Sequence, residues 1–476
     1  MAARLAEGDS RSVVLLEAGP DLRADPPALL HDGWQMTREF DWGYASEPDE
    51  LGEVQKLRRG KMLGGTSAIT RFALRGAPGD YDEWQDLGNP GWGFDDVLPY
   101  LVALETDIDF GDQPWHGSGG PIPVSRYGDL APSEIHGAAM DAFAALGFPA
   151  IEDHNRPGAV GAGRMPMSSR DAIRMSAVDA YLPLGRTPPR LAIRPESQVA
   201  EIVFAGARAA GVRLLDGTTI GAGRVVLCAG AYGSPPILMR SGIGPEQHLQ
   251  SMGIPVRVDL PGVGANLADH PATSLDTGFR GPSRTTPVLH TAVTFHSAAA
   301  LTDEPPDLMF WVADPASPDA PQFEIEVVLL KPRSRGSVRL RSADPADPPR
   351  IELPNFTERS DLERLAEGYQ RAREVAGHAW IRRLCEGPLP PEPTGHAELI
   401  RTVRGGGYSI PHVVGTCAMG PSPEDGAVVD AFGRVFGSEE LFVVDASIMP
   451  SVPSGFTHLP TLMIAERLAE RIAALP

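Results

Sequence analysis

The sequence predicts an α/β (α+β) architecture in two parts: a doubly wound parallel sheet domain built from discontinuous segments, and a cap-like domain with an antiparallel sheet. Short apolar runs at Ser12 to Glu17 (SVVLLE), Arg224 to Ala229 (RVVLCA) and Leu441 to Asp445 (LFVVD) each lead into small residues and then a helical pattern, as buried parallel strands do. Between them, Trp84 to Glu105 is aromatic and amphipathic, and Val327 to Ile351 alternates as exposed strands do. The length of 476 residues accommodates about two or three structural units.

Composition removes several function classes. With 42 basic and 62 acidic side chains the net charge is −20, which repels nucleic-acid backbones. No run approaches the roughly 18 apolar residues of a membrane helix. Met1 to Ser10 lacks a basic-then-apolar signal pattern, so a cytoplasmic location is expected. Cys228, Cys385 and Cys417 form neither a disulfide framework nor a CxxC site, and no metal is expected. HExxH is absent; Gly60-Lys61 is followed by Met62 where a phosphate loop needs Ser or Thr; no GxSxG elbow occurs.

Along the chain, Met1 to Glu7 reads as a helix already under way. Glu17 stands where a dinucleotide fold places its ribose-binding acid; the preceding strand and GxGxxG turn are not found, so the dinucleotide half is expected to lack them. Gly64-Gly65 with Thr66-Ser67 would let backbone approach a flat ring beside hydroxyl donors. The Gly230 segment reads as a helix capped near Ser234 with Pro235 in its first turn. Pro388 to Pro393 and Gly405 to Gly407 are loop signals, the glycines a candidate gate before His412. Apolar spacing from Leu459 to Ile472 with Pro460 at its start predicts a last helix with His458 at its N-terminus, where partial positive charge disfavours imidazolium.

Five segments occur in order: Arg59 to Ser67 (RGKMLGGTS), Gly230 to Pro245 (GAYGSPPILMRSGIGP), Pro261 to Pro271 (PGVGANLADHP), His412 to Gly420 (HVVGTCAMG) and Asp445 to Pro450 (DASIMP). With Asp82-Glu83-Trp84 and Gly91-Trp92, they make the chain resemble the glucose-methanol-choline (GMC) family of FAD-dependent oxidoreductases along its whole length. The resemblance implies a FAD-binding domain at 1–75, 190–275 and 408–476, and a substrate-binding domain at 76–189 and 276–407. It implies flavin contacts at Glu17, Gly60, Lys61, Gly64, Gly65, Thr66, Thr70, Arg71, Ala73, Val199, Asp445 and Ala446, though plain sheet packing explains Val199 equally well. FAD is expected to be noncovalent, since no His lies between Lys61 and Arg75.

The implied chemistry is oxidation of an alcohol by hydride transfer to flavin N5, with His412 as base and His458 positioning the oxygen. Thr70-Arg71 after Ile69 and Phe456 near His458 depart from the family pattern, the latter making the pocket more apolar. Asp109 to Arg126 resembles relatives handling small aryl or furan alcohols, which favours a neutral primary or aryl alcohol. Hydroxynitrile lyase chemistry, choline dehydrogenase-like activity and an inactive flavoprotein are the alternatives. The electron acceptor is oxygen or a quinone-like molecule. A cationic substrate would need an aromatic or acidic cage, and none is identified among Phe310, Trp311 and Tyr408.

Overall fold

The computed structural model describes residues 1–7, 11–27, 30, 39–127, 133–171, 173–280, 290–313 and 322–475. All three apolar runs are parallel strands: Val13–Leu16 pairs with Leu191–Arg194, and Val225–Leu227 with Leu441–Val443. Among the described residues these are two separate pairs and not one continuous sheet. One strand of each pair, Val13–Leu16 and Val225–Leu227, lines one large cavity.

The last helix, His458–Ala473, buries Leu459, Met463, Ile464, Leu468 and Ile472, the face expected from their spacing. It packs on the helix Phe94–Leu104, and Trp84 and Trp92 complete that core together with the strands Val225–Leu227 and Leu441–Val443. Each indole N–H keeps a partner in the apolar surroundings: Trp84 donates to the Ser451 carbonyl and Trp92 to that of Ala431.

The second unit is a seven-stranded sheet. Its main path runs Cys385–Glu386, Pro271–Phe279, Gln322–Leu329, Leu308–Ala313, His290–Phe295 and Gly161–Arg164, with Tyr408–Ser409 added against Pro271–Phe279. All its pairings are antiparallel. Successive residues of a strand face opposite sides, and here each side carries a buried apolar cluster. Phe323, Ile325, Val327 and Leu329 pack with Phe310 and Val312 beneath the helices Glu134–Ala145 and Arg359–Gly377. Ala272, Ala292, Met309 and Val328 lie on the other face with Trp311 and Tyr408. The alternation near Val327 therefore separates two buried faces, which corrects the expectation of exposed strands.

The glycines Gly405 to Gly407 are also placed differently from a loop tip. Gly405 ends the helix His396–Gly405, Gly406 caps it, and a Cβ on Gly407 would lie 2.4 Å from the Phe356 ring. Under Trp115, buried carboxylates are matched by cations: His116 Nδ1 lies 2.6 Å from Glu105 and its Nε2 3.0 Å from Asp153, while Arg126 pairs with Asp107 and Asp153. Among the described residues, no helix is long and apolar enough to cross a membrane.

Phe310 is fully buried against Phe143, Phe148 and Phe295. Phe310→Ala is expected to destabilise the protein by roughly 3–5 kcal/mol through lost burial and a residual cavity, read as a lowered midpoint in denaturant unfolding. A midpoint unchanged from wild type would contradict this packing.

Candidate active site

The cavity has a volume of about 2110 Å³. This is about twice the roughly 1,000 Å³ upper range of pockets for drug-sized ligands, so it has room for a dinucleotide and a second small molecule. The expected site residues Glu17, Gly60, Lys61, Gly64, Gly65, Thr66, Thr70, Arg71, Val199, Asp445, Ala446, His412 and His458 all line it. Ala73 does not. It is fully buried; its N–H donates to Pro166 O and its carbonyl accepts from Asn155 Nδ2, so its main chain is spent inside the core.

The turn from Gly60 to Thr70 is built by close backbone approach. A Cβ on Gly60 would lie 2.5 Å from the Gly65 carbonyl oxygen, and Gly64 and Gly65 have φ of 95° and 53°, a region glycine enters without strain. Thr66 Oγ1 accepts from Gly60 N–H at 3.3 Å, and Thr70 N–H donates to the Thr66 carbonyl at 3.1 Å. Leu63 N–H donates to Pro20 O at 2.9 Å, which ties the turn to the end of the first strand. There Glu17 Oε1 accepts from Gly19 N–H, while burial raises the Glu17 pKa. Lys61 Nζ sits 4.7 Å from the Trp42 ring centroid, and the buried Arg71 lies 5.4 Å from that of Phe72.

Asp445 is held by its own neighbours. Its Oδ1 accepts from Ser447 N–H at 2.8 Å, and its Oδ2 accepts from Gly230 N–H at 2.9 Å and Ser234 Oγ–H at 2.5 Å. One carboxylate thus caps two segments. The helix Gly230–Arg240 consequently begins at Gly230, five residues earlier than a cap at Ser234 would place it.

His412 and His458 both line the cavity. His412 packs against Phe456 with ring centroids 4.4 Å apart, and Phe456 also contacts Phe72 and Trp311, so the wall is apolar as expected. His412 Nδ1 lies 3.1 Å from Nδ1 of the fully buried His270, whose Nε2 lies 3.0 Å from the Pro453 carbonyl. Asp269 fixes the backbone of both: its Oδ1 accepts from His270 N–H at 2.9 Å and His412 N–H at 2.8 Å, and its Oδ2 from Ser409 Oγ–H at 2.5 Å. Burial pushes the Asp269 pKa up to about 7 and lowers that of His270 to about 4. His412 is held well below the usual imidazole range by burial, then by the charges of His270 and Arg59. His458 starts the last helix, and burial lowers its pKa to about 4; its Nε2 is buried without a hydrogen-bond partner.

His270 and Asp269 lie inside the segment Pro261 to Pro271 but were not expected as site residues. Their signal is the Asp-His pair itself, a carboxyl and an imidazole on consecutive residues. Arg59, the first residue of its motif, has a buried Nη2 without a partner and stacks 4.8 Å from the Tyr232 ring centroid.

A cavity between parallel strands, a glycine turn and paired neutral imidazoles define an oxidoreductase of the dinucleotide-binding class. Comparison with known proteins agrees. Family models described as GMC oxidoreductase match residues 50–272 and 332–465. The chain is 35% identical to 5-(hydroxymethyl)furfural oxidase of Methylovorus sp. (strain MP688), covering 99% of this chain and 96% of that protein. It is 32% identical to oxygen-dependent choline dehydrogenase 1 of Chromohalobacter salexigens, covering 99% and 92%. The crystal structure of pyridoxine 4-oxidase from Mesorbium loti superposes with a TM-score of 0.91 at 30% identity, covering 99% and 96%. The chain belongs to the GMC oxidoreductase family. As a member it is an FAD-dependent enzyme.

Gly60→Ala should force the Gly65 carbonyl away and open the turn. The expected outcome is loss of most bound flavin, measured as flavin absorbance per protein after gel filtration, with far-UV circular dichroism unchanged. Full flavin retention in this variant would contradict the role assigned to the turn.

Proposed function

We propose that this enzyme oxidises a primary alcohol held against the aromatic wall of Phe72, Trp311 and Phe456, with His412 Nε2 as the general base. The single observation that carries the reading is the hydrogen-bond chain from Pro453 to His412. A main-chain carbonyl can only accept, so His270 must carry its proton on Nε2. A neutral His270 then has a lone pair on Nδ1, and His412 must donate to it from its own Nδ1. The remaining nitrogen of a neutral His412, Nε2, is left unprotonated and able to take a proton.

The residues present fit FAD. The left-handed glycines Gly64 and Gly65, the hydroxyls of Thr66 and Thr70 and the backbone near Val199 and Ala446 would hold it along the cavity. Bound FAD supplies the two-electron acceptor for the carbinol hydride. His412 removes the hydroxyl proton, so the alcohol leaves as an aldehyde. His458 has an unused buried nitrogen at the same cavity and orients the hydroxyl oxygen. Phe456 and Trp311 exclude water from the reacting carbon. The likeness to an oxidase of a hydroxymethyl furan supports an alcohol next to a ring, and oxygen is the acceptor this reading favours.

His412→Ala should slow anaerobic flavin reduction by roughly 100-fold or more, the scale of a lost general base, with flavin retained. In the wild type the depressed His412 pKa keeps the ring neutral as pH falls. The reduction rate should therefore stay level through about pH 6.5, where an ordinary imidazole protonates, and drop only in more acid solution. Stopped-flow absorbance measures both. An unaltered rate in His412→Ala, or half-loss of the wild-type rate near the ordinary imidazole pKa, would remove His412 as the base.

A further inference from the structure

The sheet face that looks into the cavity carries one carboxyl that the proposed chemistry does not use. Register places Trp311, Glu326 and Ser274 directly opposite one another on three adjacent strands, so their side chains share a face. Trp311 and Glu326 line the cavity with Tyr408 and His412. The Tyr408 hydroxyl lies close enough to Glu326 to act on its carboxyl. On the same face two residues further along, Glu324 stands opposite Asp276, a like-charged cross-strand pair that is unfavourable by itself. Both reach solvent, whereas Glu326 is turned inward. Among the described residues none of the three acids makes an ion pair. Burial, then repulsion from Glu324, pushes the Glu326 carboxyl up to about 8. Phe310, the other aromatic considered from sequence, faces the helix-covered core.

We propose that Glu326, with Trp311 beside it, is the specificity-determining residue of this site, and that it selects alcohols bearing a protonated nitrogen. The proposal rests on the alcohol-oxidation reading and replaces its neutral substrate with a cationic one. A cation on the substrate supplies the counter-charge that this face lacks, and it meets an indole face suited to cation–π contact. Ionised beside a bound cation, the Glu326 carboxylate offers lone pairs on its oxygens. These call for an N–H donor in a charge-assisted hydrogen bond, which an ammonium or pyridinium N–H offers and a quaternary nitrogen does not. Asp276 and Glu324 at the exposed end of the same row attract such a cation toward the cavity.

The test uses the FAD-loaded enzyme and a pair of near-isosteric alcohols, 4-(aminomethyl)benzyl alcohol and 4-ethylbenzyl alcohol, with choline as a third probe. In the wild type kcat/KM should favour the aminomethyl compound over the ethyl compound by about 10-fold or more, the scale of one charge-assisted hydrogen bond. Glu326→Gln keeps the shape and removes the charge. It should abolish that preference while leaving the neutral alcohol within about threefold of wild type. Equal or better use of the ethyl compound by wild type, a preference that survives Glu326→Gln, or choline outperforming the aminomethyl compound would each overturn the proposal. Equilibrium binding by calorimetry reports the same ratio without turnover. A binding preference lost in Glu326→Gln, but with no flavin reduction by any alcohol, would therefore uphold the role of Glu326 and sink the alcohol-oxidation reading.

Discussion

A backbone carbonyl has no proton to give, and at Pro453 that fact propagates through two rings. His270 must point an N–H at it, His412 must point an N–H at His270, and the cavity receives the one nitrogen left bare. Burial keeps both rings neutral, so each link has a defined donor and acceptor. Asp269 makes the geometry stiff by holding the main-chain N–H of both histidines on one oxygen. The chemistry proposed here depends on this chain of obligations more than on any single contact to a substrate.

The rest of the fold supplies the platform. One face of the antiparallel sheet is apolar and sealed by helices; the other, which carries Trp311 and Glu326, turns to the cavity. A sheet so anchored cannot slip by one residue without exchanging its two sets of side chains, which holds Trp311 and Glu326 in place. On the other half, the last helix buries its stripe against the helix Phe94–Leu104 and delivers His458 at its first turn. Asp445 joins the strand Leu441–Val443 to the start of the helix Gly230–Arg240 through Gly230 and Ser234. Rigid elements thus meet at a cavity edge where neutral imidazoles and apolar rings are brought together.

Much of this was legible in the sequence because it is local. The runs VVLL, VVL and LFV are strands, the Leu459 to Ile472 spacing gives the last helix, and the order of the glycine motifs identifies the family. What was hidden depends on pairing between distant segments. His270 lies within a motif that was read, but its role needs Pro453 and His412, both far along the chain. Glu326 was unreadable as a site residue because strand alternation looks the same whether the polar side meets solvent or a cavity. The partners of the Asp445 carboxylate, Gly230 and Ser234, were equally hidden. Ala73 sits in a matching stretch but is turned into the core.

The protonation pattern of the two rings is directly measurable by nitrogen NMR of the FAD-loaded enzyme labelled with ¹⁵N in its histidines. At neutral pH, His270 should show a protonated Nε2 and a bare Nδ1, and His412 a protonated Nδ1 and a bare Nε2. A His412 protonated on Nε2, whether singly or on both nitrogens, would contradict its assignment as the base.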